Sequence, residues 1–198
     1  GFILEGFGYY NFFILMGVLA IPSVCLCYFL PRNLELTFEN IMKIEKVNGF
    51  WVPSNDVHIE DWKKDKHFTQ NKCLEKLIAY CKDKNIKFNH ILDIGAWVGT
   101  WTMAMNRFCG RVVAFEPDPL HYQCLVKNCP ADVETHQLAV GNERKMIALS
   151  EDNFTQARRV IGDGSIPMVT IDSLGLEDVD LIKIDVEGYE MEVLKGAV

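Results

Sequence analysis

Apolar and polar positions divide this chain of 198 residues into three stretches. Residues 1–32 hold a hydrophobic segment: from Gly6 to Pro31 no side chain is charged, and Phe12, Leu15, Leu19 and Leu26 lie along it. About 20 apolar residues suffice to cross a bilayer, so residues 7–30 are expected as a membrane anchor, with Tyr9, Tyr10 and Tyr28 where interfacial aromatics sit. Pro22 would kink that helix without excluding it. Arg32, Lys43 and Lys46 follow the segment and only Glu5 precedes it, which puts the catalytic part in the cytosol under the positive-inside rule. A signal sequence, a buried helix of a soluble domain and a spurious upstream extension compete with the anchor, although no A-x-A-like cleavage site follows. Because the chain opens on Gly1, a fragment is expected.

Residues 33–66 read as an irregular or β-containing extension, in which charges alternate with Phe50-Trp51-Val52-Pro53 and Asn55-Asp56-Val57-His58. Residues 67–198 alternate helical periods with short apolar runs, the pattern of an α/β domain. An amphipathic helix is predicted over 68–85, with Cys73, Leu74, Leu77, Ile78 and Cys81 on its core face. Strands are predicted at 90–95, 111–116 and 133–140, helices at 100–108 and 121–128, and an added strand at 145–151. The polar, glycine-containing stretch 152–167, with Arg158 and Arg159, is expected to be a loop able to close over substrate. Another apolar strand ends at Asp185, and a helix begins near Tyr189.

Chemistry concentrates at the strand tips. Ile91-Leu92-Asp93-Ile94-Gly95-Ala96-Trp97-Val98-Gly99-Thr100 carries a strand into a glycine turn and a helix, and Val112-Val113-Ala114-Phe115-Glu116-Pro117 ends the next strand on a carboxylate 23 positions after Asp93. A carboxylate at that tip is placed to accept two hydrogen bonds from a vicinal ribose diol, so a nucleoside cofactor is expected. Gly95 and Gly99 let backbone approach a ligand closely. They do not make G-x-G-x-x-G, the arrangement that seats a pyrophosphate on a helix N-terminus.

Composition narrows the partner. A net charge of −7 without a clustered basic stretch argues against nucleic acid. The cysteines at 25, 27, 73, 81, 109, 124 and 129 form no C-x-x-C pair and no zinc spacing, so free thiols in a reducing compartment are expected.

The C-terminal run Leu181-Ile182-Lys183-Ile184-Asp185-Val186-Glu187-Gly188-Tyr189-Glu190, taken with Asp93-Ile94-Gly95-Ala96 and Phe115-Glu116-Pro117, resembles the FkbM family of S-adenosylmethionine-dependent methyltransferases over about residues 89–198. The resemblance implies a Rossmann-like class I methyltransferase sheet flanked by helices, strand order three, two, one, four, and O-methylation of a hydroxyl on a sugar or other small-molecule or glycan acceptor. Under it Gly95 and Ala96 face the methionine part of the cofactor, Asp93 helps hold its amino end, Glu116 takes the ribose and Val140-Gly141-Asn142 the adenine edge, with Gly99 and Pro117 as further cofactor-binding positions. Asp93 reads otherwise as a turn-bonding carboxylate. The N-P-P-Y type tetrapeptide of amino-directed enzymes is missing, which favours oxygen as acceptor.

A hydroxyl acceptor must lose a proton, and Asp185 at the tip of the fourth strand is the first candidate base, with Glu187 the second. Lys183 shares a strand face with Asp185 and reads as its orienting partner. Glu190 reads as a helix-start acid. Asp185 and Glu187 are oxygen ligands, but two ligands make no metal site, and the metal stays unassigned. By fold analogy Trp51, Asp56 and His58 would shape the acceptor pocket, against the simpler reading of a surface loop.

Two other classes remain open: a catalytically silent, membrane-attached binding protein with the same fold, and a nucleotide-dependent oxidoreductase or epimerase, which should carry the dinucleotide glycines. No run follows the last helix that would cover the fourth strand, so the domain is expected to be incomplete at its C-terminus.

Overall fold

The computed structural model describes residues 44–54, 56, 59–64, 72–150 and 160–197. The apolar segment 6–31, His58 and the arginines at 158 and 159 lie outside them. Among the described residues no helix is long and apolar enough to cross a membrane.

Strands β1 (Ile44–Val47) and β2 (Phe50–Pro53) form an antiparallel hairpin. Its two-residue turn, Asn48-Gly49, has φ of 49° and 98°, the positive angles that match a turn to strand twist. Helices α1 (Ile59–Lys64) and α2 (Lys72–Lys84) follow. The core then runs through β3 (Phe88–Ile94), α3 (Thr100–Asn106), β4 (Cys109–Phe115), α4 (Pro119–Asn128) and β5 (Glu134–His136). Beyond it come β6 (Ala139–Val140), β7 (Lys145–Leu149), β8 (Val160–Val169), a 3-10 turn at Asp172–Leu174, β9 (Val179–Ile184) and α5 (Glu190–Lys195).

Four parallel strands lie in the order β5-β4-β3-β9, which is third, second, first and fourth along the chain. The expected Rossmann-like order is therefore present. Its physical basis is continuous burial: β3 from His90 to Ile94 and β4 from Val112 to Phe115 are shielded on both faces, as parallel strands between helices must be. Alternate side chains serve opposite layers. Ile91 and Val112 pack with Leu74, Cys81 and Met105, whereas Leu92, Ile94, Val113 and Phe115 pack with Val140 and Val193.

Four expectations need correction. Helix α4 starts at Pro119 and not at 121, because the Asp118 side chain caps it, accepting from the N–H groups of Leu120 and His121 at 2.9 Å each, with proline at the first helical position. The single strand over 133–140 is two: the chain leaves β4 after His136, and Ala139–Val140 pairs with β8 instead. Of the anticipated loop 152–167, the described residues 160–167 all belong to β8, which pairs with β7 antiparallel and β6 parallel. Gly164, a loop signal in the sequence, is required there because a Cβ would overlap the Ala148 backbone. Cys73, expected in the core, is exposed; only Cys81 of that pair is buried.

Candidate active site

The carboxyl ends of β3, β4 and β9 meet around one cleft, about 800 Å³ including space open to solvent. Glu116 sits at its base, immediately after β4, with 6% of its surface exposed. Its Oε2 accepts the Trp97 N–H at 2.8 Å and its Oε1 the Asp118 N–H at 2.9 Å, so both oxygens are held by backbone. Burial pushes the carboxyl up to about 8 even though the Asp118 N–H pulls the other way. At neutral pH Glu116 is therefore protonated. The His121 ring lies beside it, Nδ1 being 3.6 Å from Asp118 Oδ1 and 3.9 Å from Glu116 Oε1, and meets the Trp97 indole edge-on at 6.4 Å.

Beneath the glycine turn runs a second network. Asp93 is fully buried and accepts from Thr102 Oγ1 at 2.5 Å. On the adjacent strand, in register with Asp93, Lys183 places Nζ 3.1 Å from Asp93 Oδ1, donates to the Gly95 carbonyl at 2.5 Å and lies 3.7 Å from Asp185 Oδ2. The expected Lys183–Asp185 pair is thus one side of a larger junction. Gly95 is dictated by this junction as well: at φ 78°, its missing Cβ leaves room for the Asp185 carbonyl. Gly99, at φ 89°, faces Leu125 and Cys129. Both glycines serve packing of chain on chain.

On the β9 side, Asp185 and Glu187 are exposed at the mouth of the cleft. Glu187 and Gly188 take φ of 53° and 97°, and Glu190 Oε1 closes this turn by accepting from the N–H groups of Gly188 at 3.1 Å and Val186 at 3.3 Å. The Gly188 N–H holds the Glu190 carboxyl below its usual range. That agrees with its reading as a helix-start acid.

Of the residues singled out from sequence, Gly95, Glu116, Pro117, Val140, Asp185 and Glu187 line the cleft. Asp93, Ala96, Gly99 and Lys183 are not among its lining residues. Gly141 packs against Met168 and Tyr189, and the Asn142 amide donates to Glu192 at 2.7 Å, so the wall at this end is Leu138, Ala139 and Val140. Trp51 and Asp56 are not among the lining residues: Trp51 stacks under Lys127, whose Nζ is 4.8 Å from the ring, and Asp56 is buried. Sequence reasoning passed over Trp97, Asp118, His121 and Tyr189, all of which line the cleft. The dipeptide Asp118-Pro119, a helix-start signal, would have drawn attention to Asp118.

Among the described residues no three His, Cys, Asp or Glu side chains converge as metal ligands. The five described cysteines are free thiols, and burial pushes Cys124 and Cys129 up to about 12, where they are inert as nucleophiles.

Residues 93–198 match the model of the methyltransferase FkbM domain, more than half of the chain. The chain belongs to the FkbM methyltransferase family. The matched region of this FkbM domain starts at Asp93 itself and contains both the Glu116 and the Asp185 ends of the cleft. No curated protein matches the chain. Similar solved structures include a precorrin-6y C5,15-methyltransferase from Geobacter metallireducens GS-15, 17% identical, covering 67% of this chain and 61% of that one at a TM-score of 0.37. A dimethyladenosine transferase from Plasmodium falciparum is 20% identical over 35% of this chain and 26% of its own, at 0.30. N-methyltransferase NodS from Bradyrhizobium japonicum WM9 is 12% identical over 36% and 43%, at 0.29. The chain spans less than two thirds of each, and likenesses this slight do not bear on acceptor or reaction.

Proposed function

We propose that this FkbM domain transfers a methyl group from S-adenosylmethionine to a hydroxyl of a small-molecule or glycan acceptor. The observation that carries the reading is Glu116, a buried carboxyl at the tip of the second strand whose two oxygens are aimed by backbone N–H groups into a cleft. That is the geometry a ribose diol needs. The donor set fits the cofactor: the described lining holds carboxyls and a histidine and no Lys or Arg, which suits a sulfonium and ill suits a pyrophosphate.

When bound, S-adenosylmethionine supplies a methyl group already electrophilic on its sulfonium. The chain's work is alignment and exclusion of water. Gly95, Ala96 and Gly99 shape the turn against the methionine end, while Asp93 supports that turn from beneath through Lys183. Glu116 and Pro117 take the ribose, and Leu138, Ala139 and Val140 form the adenine end. Asp185 accepts the acceptor's hydroxyl proton on Oδ1, with Oδ2 facing Lys183, and Glu187 stands next to it as the alternative base. Such a base contributes about 10²- to 10⁴-fold. Residues 7–30 would tether a cytosolic catalytic domain to a membrane.

The test is transfer of labelled methyl from S-adenosylmethionine to a panel of hydroxylated and amino acceptors. Label on oxygen that Asp185→Asn abolishes supports the reading; label only on nitrogen overturns it.

A further inference from the structure

The turn that carries Trp97 to Glu116 is held in a conformation its own residues disfavour. Trp97 stands at φ 52°, in the left-handed region that a bulky L-residue avoids. Such strain persists only where surrounding structure over-determines it. Backbone bonds from the Ala96 N–H to the Phe115 carbonyl and from the Gly99 N–H to the Ala96 carbonyl bracket the turn, and one side-chain amide ties it to the hairpin. Asn128, the last residue of α4, accepts the Trp51 N–H on Oδ1 at 2.7 Å and donates through Nδ2 to the Trp51 carbonyl and to the Val98 carbonyl, each at 2.8 Å. Toward β2 the amide behaves as another strand's peptide group, donating to and accepting from one residue. Toward the glycine turn it fixes the carbonyl next to Trp97. Val47, Val52, Val98 and Cys124 close an apolar cluster around the same junction, with Trp51 and Trp97 packed on it.

We propose that Asn128 is a positioning residue: by tying the N-terminal hairpin to Val98 it holds the Trp97 N–H on Glu116, so the hairpin is part of the cofactor site. The tie to cofactor rests on the functional reading above. The hairpin then works on the cofactor side of the cleft, from behind α4.

The test uses the full chain and Asn128→Asp, which is isosteric but faces two carbonyl oxygens with a carboxylate. Amide exchange followed by NMR reads the tie without any ligand. The Trp97 amide should exchange at least tenfold faster, while the Asp118 amide, which reaches the other oxygen of Glu116, stays within about twofold. Titration with S-adenosylhomocysteine should show affinity about tenfold weaker. Asn128→Ser, which loses the bond to Val98 but sets no charge against the two carbonyls, should fall between and keeps the test alive if the aspartate variant does not fold. Leu74→Ala, in the core beneath α2, is the control for general destabilisation: it should lower the melting temperature without the selective loss at Trp97. A Trp97 amide as protected as in the wild type, or one that opens together with Asp118 as in the control, overturns the inference. If the wild type itself binds no S-adenosylhomocysteine, the functional reading and the cofactor role fall together, and the exchange data still decide whether Asn128 holds the turn.

Discussion

The N–H of Trp97 donates to Glu116 Oε2 at 2.8 Å across 19 residues of sequence, joining the turn after the first sheet strand to the tip of the second. It leaves the carboxyl in place but does not give it enough stabilisation to ionise at neutral pH, since burial raises it from 4.5 to about 8.

That shift fixes a pH dependence. In the unfolded chain Glu116 loses its proton near 4.5, whereas the folded state keeps it until about 8. The folded state thus binds the extra proton, and the contribution of Glu116 to stability falls as pH rises from 4.5 to 8. Unfolding free energies of wild type and Glu116→Ala, measured by urea at several pH values, should diverge across this window by a few kcal/mol in favour of the variant at the alkaline end. A pH-independent difference would contradict the shift.

A ribose diol donates to a carboxylate better than to a carboxylic acid, so cofactor binding should release a proton from Glu116. Affinity for S-adenosylhomocysteine is expected to rise between pH 6 and 8, and calorimetry at pH 7 in buffers of different ionisation enthalpy should register proton release that Glu116→Ala lacks.

Lys183→Met strands the buried Asp93 carboxylate without its cation. Breaking a buried pair from one side costs about 3 kcal/mol or more, whereas removing both charges costs less. The double variant with Asp93→Asn should therefore be more stable to urea than Lys183→Met alone; a double variant weaker than either single change would show that the pair is not what holds the junction.

Gly95→Ala tests the close approach of β3 and β9. The new Cβ meets the Asp185 carbonyl and the φ of 78° is unfavourable for alanine, so a loss of at least about 2 kcal/mol is expected from strain and overpacking. Thermal unfolding would measure it. Gly188→Ala is the informative partner: its φ is 97° but no atom lies within 4 Å of its Cβ position, so its loss should be the smaller one.

What was legible in the sequence was what burial on two faces enforces. β3 and β4 end in stretches buried on both faces, 90–94 and 112–115, and Glu116 follows from where the second stops; β9, which carries Asp180 and Lys183 and is partly exposed throughout, was legible through its resemblance to a family motif, and Asp185 with it. β8 was not legible, because it is largely exposed and glycine-bearing, and its pairing with β7 comes from elements that only the fold brings together. The role of Asn128 was hidden for the same reason: its partners Trp51 and Val98 are 77 and 30 residues away. Lys183 was readable as a neighbour of Asp185 two residues on, but its partnership with Asp93 depends on strand register.

The most direct measurement is calorimetric titration of S-adenosylhomocysteine into the full chain and into Glu116→Ala. Saturable one-to-one binding that the substitution weakens tenfold or more, about 1.4 kcal/mol, is the predicted result. A wild-type protein that melts cooperatively yet takes up no S-adenosylhomocysteine would contradict the account at its centre.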